Sequence, residues 1–199
     1  FNSPANQEKG LVASVAGGVL VLPGLHYKHQ YLSRPGPEAN MVIQARLQTP
    51  LTGCSREWSV GIGLYWSKGR YAHMTAGGYH DRQTGFAIRG VGRKAITLEQ
   101  RSMRILDDNC CDCWVRIEAG EKTIRYASSQ DGKTWQIERE VARPDDTRSP
   151  PLVIVGRGSE GAGDVFRNDL HHNSRTKPSR ISDLVVGRLG AGAGRYRSD

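Results

Sequence analysis

The chain has 199 residues and a formal net charge of +8. Its longest apolar stretch, Val19 to Leu25, is too short to cross a bilayer as a helix. Four Trp, seven Tyr and three Phe supply enough core material to exclude wholesale disorder, and a pI near 9.6 permits an acidic partner such as nucleic acid or an anionic polysaccharide.

In chain order, no segment keeps a 3.6-residue apolar period, and period-two alternation recurs instead. Met41, Ile43, Ala45 and Leu47 alternate with Val42, Gln44 and Arg46. Trp58, Val60, Ile62, Leu64 and Trp66 alternate with Ser59, Gly61, Gly63 and Tyr65, so one face is large and apolar while the other is small until Tyr65. Gly in a strand marks a close approach of a ligand or of another backbone. Short strands are expected around Tyr71–Thr75, Phe86–Ile88, Ile96–Leu98, Val115–Ala119, Ile124–Tyr126 and Trp135–Ile137. Ser128 to Gly132 is a turn signal, with Asp131-Gly132 suited to positive φ. Leu152-Val-Ile-Val155 reads as a strand buried on both faces, and Ile181 to Leu189 as the last strand. Gly156 to Arg180 is a long connection. Gly (24) and Pro (9) make up about one residue in six, which suits ten to thirteen strands joined by tight turns. The expectation is an all-β antiparallel β-sandwich.

The second half holds Trp114-Val-Arg-Ile117, Ile124-Arg-Tyr126, Ser129-Gln-Asp-Gly-Lys-Thr-Trp135, Leu152-Val-Ile-Val-Gly156 and Ser182-Asp-Leu-Val-Val186. The first half holds Gly17-Gly-Val-Leu20, the Met41 strand and Gly61-Ile-Gly-Leu-Tyr-Trp66. This ordered set resembles bacterial extracellular accessory domains of the concanavalin A-like lectin/glucanase superfamily. The nearest alternative is a SPRY-type sandwich, on Trp58-Ser-Val-Gly61. The resemblance implies a concanavalin A-like jelly roll over residues 1–190, and the glycine-rich run Gly190-Ala-Gly-Ala-Gly194 reads as a linker, so residues 191–199 are expected as a flexible C-terminal tail. It also implies a non-catalytic accessory domain of a larger secreted protein, able to bind a polysaccharide or other glycan. A glycan-active hydrolase of the same superfamily and a structural or protein-interaction sandwich are the alternatives.

Glycoside hydrolysis usually needs two carboxylates flanking the scissile bond. The glucanases of the superfamily carry them as E-x-D-x-x-E or E-x-D-x-E, and this chain has neither. Sugar recognition combines aromatic platforms with polar groups for hydroxyls. The candidate ligand-binding residues are therefore Tyr65, Tyr71, His73, Tyr79, His80, Asp81 and Arg89. The resemblance offers Asp183, on the last strand, for a structural calcium, and suggests no other cofactor. Cys54, Cys110, Cys111 and Cys113 allow either one disulfide from Cys54 to one of the other three or a thiol cluster. A disulfide implies an extracellular, periplasmic or cell-envelope location. The basic run from Arg82 to Arg104 could follow phosphates, but no nucleic-acid motif accompanies it, so nucleic acid is the least favoured partner.

Overall fold

A computed structural model describes residues 14–22, 30–50, 60–67, 69–78, 84–90, 96–99, 104–107, 110–157, 179–190 and 195–196. Two sheets face each other. The first runs through β1 (Ser14–Ala16), β2 (Val19–Leu22), β14 (Ser179–Arg188), β4 (Met41–Pro50), β10 (Cys110–Ala119), β11 (Thr123–Ser129), β12 (Thr134–Ala142) and β15 (Arg195–Tyr196), in that spatial order, and β9 (Arg104–Asp107) also pairs with β10. The second runs through β3 (Gln30–Pro35), β13 (Leu152–Arg157), β5 (Val60–Ser67), β6 (Arg70–Gly78), β7 (Thr84–Gly90) and β8 (Ile96–Glu99). All pairings are antiparallel except that of β15 with β12. The only helical element among the described residues is a 3-10 turn, Asp145–Thr147.

The alternation seen in the sequence decides which side chains meet between the sheets. From the nine-stranded sheet come Leu20, Leu22, Met41, Ile43, Ala45, Leu47, Val115, Ile117, Ile124 and Tyr126. From the six-stranded sheet come Val60, Ile62, Leu64, Ala72, Met74, Ile88, Val153 and Val155. Each large aliphatic side chain withdrawn from water here contributes about 1.5–3 kcal/mol. Cys113 belongs to this layer and packs as a small apolar side chain. Cys54 lies outside the described residues. Leu152–Val155 is flanked by β3 on one side and β5 on the other, and Val153, Ile154 and Val155 are all buried, as the continuous apolar run implied.

Turns match their residues. Gly17 and Gly18 both have positive φ and close the β1–β2 hairpin in two residues, the type I′ arrangement. The Ser129–Trp135 hairpin is set by Asp131. Its carboxylate accepts the backbone N–H groups of Lys133 and Thr134, both at 2.8 Å, and the Ser129 hydroxyl at 2.9 Å. These donors, Thr134 first, hold its pKa at about 2, below the ordinary 3.8. Because the folded value is the lower one, the stabilisation is whole above the unfolded pKa and fades as pH falls toward 2. We expect Asp131→Asn to flatten the acid limb of the stability–pH curve between pH 5 and 2, read by urea unfolding at each pH. An unchanged slope would show that the hairpin does not sense this carboxylate.

Candidate functional site

Four of the sequence-derived candidates take register positions on the outward face of the six-stranded sheet. Register places Tyr65 of β5 opposite Tyr71 of β6, Gly63 opposite His73 and Gly61 opposite Thr75. His73 in turn pairs with Arg89 of β7, and Gly63 with Ile154 of β13. Tyr65, Tyr71, His73 and Arg89 thus occupy neighbouring positions on adjacent strands. Tyr79, His80 and Asp81 lie outside the described residues.

The two glycines do not leave an open floor. A methyl group at Gly63 would meet His73 Cδ2 at 2.9 Å, and one at Gly61 would meet the Met74 carbonyl at 2.2 Å and Thr75 Cγ2 at 2.8 Å. Side chains from β6 therefore fold over β5 and use the space a Cβ would take. His73 is 3% exposed and Thr75 5%. Beyond them the face opens at Tyr65 and Tyr71, which are half-buried. The two tyrosines are a directly opposed cross-strand aromatic pair. At register positions of this face, the one acidic residue among the described residues is Glu99, on the edge strand β8. A pair of carboxylates spanning a glycosidic bond is not assembled from these positions.

Asp183 sits in a break of register in β14 between Ser182 and Val185, at a left-handed φ of 52°. Its side chain is exposed and accepts the Ser182 hydroxyl at 2.9 Å. Arg46 lies close enough for the two charges to interact. Among the described residues no three His, Cys, Asp or Glu side chains converge as metal ligands.

Sequence reading passed over a second cluster, on the outward face of the nine-stranded sheet. Asp112, Trp114, Arg116 and Glu118 alternate along β10, a pattern that reads as a solvated strand face. Yet Arg116 is 3% exposed and Glu118 4%. The Arg116 guanidinium lies 4.0 Å from the Trp135 ring centre and donates Nε–H to Gln44 Oε1 at 3.0 Å. Arg46 forms a bidentate pair with Asp112, at 2.8 and 2.6 Å. Arg125 bonds Glu140 at 2.7 Å and approaches Glu118 at 3.4 Å. A bulge at Glu138 separates that residue from Glu140, and Glu138 accepts the Ser128 hydroxyl instead. Tyr196 of β15 donates its hydroxyl to Glu118. A tyrosine downstream of a glycine-rich run was the available signal.

The two-sheet arrangement is that of the concanavalin A-like jelly-roll sandwiches. The sequence itself matches no family model and no curated protein. Among solved structures, the chain is similar to a functionally unknown protein from Saccharomyces cerevisiae, with 14% identity and a TM-score of 0.54 over 92% of this chain and 95% of the other. It is also similar to a xylan β-1,4-xylosidase from Bacillus halodurans C-125, with 9% identity and a TM-score of 0.54 over 85% of this chain and 33% of that one. A GH43 glycoside hydrolase engineered for endo-xylanase and exo-arabinofuranosidase activity gives 11% identity and a TM-score of 0.50, over 86% and 34%. The chain thus spans about a third of each of these two enzymes. At such identities the likeness is one of fold.

Proposed function

We propose that the chain is a non-catalytic, carbohydrate-binding β-sandwich, acting as an accessory domain of a larger secreted protein. The observation that carries this reading is the Tyr65–Tyr71 pair. It places two half-buried tyrosines at paired register positions, beside the positions of His73 and Arg89. Such rings stack on the apolar faces of pyranoses, while neighbouring polar groups select hydroxyl geometry. The solved enzymes that share the fold act on xylan-type glycans by their names, which makes xylo-oligosaccharides the first ligands to try.

The test is a glycan array followed by calorimetry. On any saturable hit, Tyr65→Ala combined with Tyr71→Ala is expected to weaken binding at least tenfold while unfolding stays cooperative. Unchanged affinity in that double variant would remove the tyrosine platform from the site. A second reading, a structural or protein-interaction sandwich, is favoured by the burial of His73 and Thr75 over the glycines. A blank array would put it ahead.

A further inference from the structure

The outward face of the nine-stranded sheet carries more cations than anions. At its register positions Arg46, Arg116, Arg125 and Arg180 stand against Asp112, Glu118 and Glu140. Each of these carboxylates is already engaged. Asp112 holds Arg46, Glu118 accepts the Tyr196 hydroxyl and lies beside Arg116 and Arg125, and Glu140 bonds Arg125. Arg180 is left over. It is exposed, and its side chain makes no hydrogen bond or ion pair among the described residues.

Register sets Arg180 beside a polar and aromatic floor. Arg180 of β14 pairs with Gln48 of β4, and Gln48 with Asp112 of β10. Two residues along, Ser182, Arg46 and Trp114 make the next row. Neighbouring strands lie about 4.8 Å apart, so Arg180 and Trp114 border a patch roughly 10 Å wide, with Gln48 and Arg46 between them.

The patch is rigid before anything binds. Asp112, 5% exposed, clamps Arg46 through Nε and Nη2. That clamp fixes the guanidinium plane and leaves Nη1 without a hydrogen-bond partner among the described residues, on a side chain that is 36% exposed. Trp114 is half-buried, and its indole lies against Gly132, where a Cβ would come within 2.7 Å of Cε2 and 2.8 Å of Cδ2. Gly132 has φ +72° and donates its N–H to the Ser129 hydroxyl at 2.9 Å, which ties it into the hairpin under the ring. A fixed aromatic surface and a fixed donor lose little entropy when a ligand arrives.

We propose that Trp114, Arg46, Gln48, Asp112 and Arg180 form a second saccharide site, on the sheet opposite the tyrosine pair, and that its ligand is an acidic sugar, a uronate. Trp114 offers an apolar surface to the C–H face of the pyranose. Gln48 and Asp112 serve its hydroxyls. Arg180 and the Nη1 of Arg46 donate to its carboxylate. Charge complementarity selects the acid over a neutral sugar: this face holds four arginines against three carboxylates, all three engaged, in a chain of net charge +8. Asp183, whose charge reaches Arg46, borders the site and opposes an anion there. The site shares no residue with the tyrosine pair, so the two readings stand or fall separately.

The full chain is titrated by calorimetry with short oligomers of galacturonate, glucuronate and mannuronate, and with their methyl esters, which keep the ring and lose the charge. At least one oligouronate is expected to bind saturably, about tenfold more tightly than its ester, and to weaken as salt is raised. Arg180→Ala, at an exposed position, should remove most of the preference for acid over ester. Trp114→Ala should weaken acid and ester alike, by about tenfold. If Trp114→Ala loses its cooperative melt, Arg180→Ala carries the decision. Asp183→Asn should tighten the acid a few-fold and leave the ester unchanged. The variant with both Tyr65→Ala and Tyr71→Ala should keep full affinity for the uronate. The proposal is overturned if no oligouronate binds, if the ester binds as well as the acid, or if Arg180→Ala leaves the preference intact. It is overturned equally if the double tyrosine variant abolishes uronate binding, or if oligothymidylate binds more tightly than every uronate, which would make this face a nucleic-acid surface.

Discussion

Replacing Arg143 by alanine is expected to lower the unfolding free energy by about 3–5 kcal/mol, the range for stripping a buried charged donor from its partners. Arg143 follows β12 and is buried. Its guanidinium donates to the carbonyls of Gly120 at 2.7 Å, Ala39 at 3.0 Å and Thr147 at 3.1 Å, and to the Asn40 side-chain oxygen at 2.9 Å. Its own backbone N–H bonds the Lys122 carbonyl at 2.9 Å. One side chain therefore ties together the turn before β4, the turn between β10 and β11, and the 3-10 turn. No carboxylate neutralises it among the described residues; carbonyl dipoles carry the charge. Burial, followed by repulsion from Arg148, lowers its pKa, yet a guanidinium stays charged at any pH the fold survives. Alanine leaves those carbonyls unpaired. Lysine keeps the charge but has three donors on one atom, so Arg143→Lys should recover less than half of the loss. Urea unfolding of the three proteins measures this, and a loss under 1 kcal/mol for alanine would show that water replaces the guanidinium.

Trp135→Ala should cost about 3–5 kcal/mol, as removal of a fully buried large aromatic does. The ring is fully buried although it sits on the outward side of its sheet, under Arg116. Its removal opens a cavity and withdraws the π-face that partners a guanidinium with little access to water. Trp135→Phe keeps a ring beneath Arg116 and should lose only about 1–2 kcal/mol. Thermal and urea unfolding of the pair give the comparison. Equal losses for alanine and phenylalanine would mean that indole size, rather than the cation–π contact, governs the site.

Much of the sandwich was legible because alternation is a local property. Met41 to Leu47 and Val60 to Leu64 each announce their buried face within a few residues, and the structure buries those faces. The run Leu152–Val155 declared a strand covered on both sides for the same reason. The polar face of β10 carried no local sign of its burial, since Arg116 and Glu118 alternate like any solvated pair. Their burial depends on Gln44, Trp135 and Tyr196, residues far along the chain that no local window includes. Gly61 and Gly63 announced a close approach without saying of what. The answer, His73 and Thr75 folding across, needed the β5–β6 register. Asp183 and Glu138 sit at bulges, where one added residue changes the direction of everything after it, and periodicity cannot anticipate such a shift.

The order of strands in the larger sheet has a consequence for biosynthesis. β4 is an interior strand, flanked by β10 and β14, and Ile43 has both Ile117 and Val186 as register partners. As the chain leaves the ribosome, β10 emerges long before β14. Until residues 179–188 are made, one side of β4 offers unpaired backbone N–H and C=O groups over an apolar surface. That open side is a template for neighbouring nascent chains. Pairings this distant in sequence also close slowly. The yield of soluble protein should therefore depend on how soon β14 follows β10, and slowing translation between them should lower it.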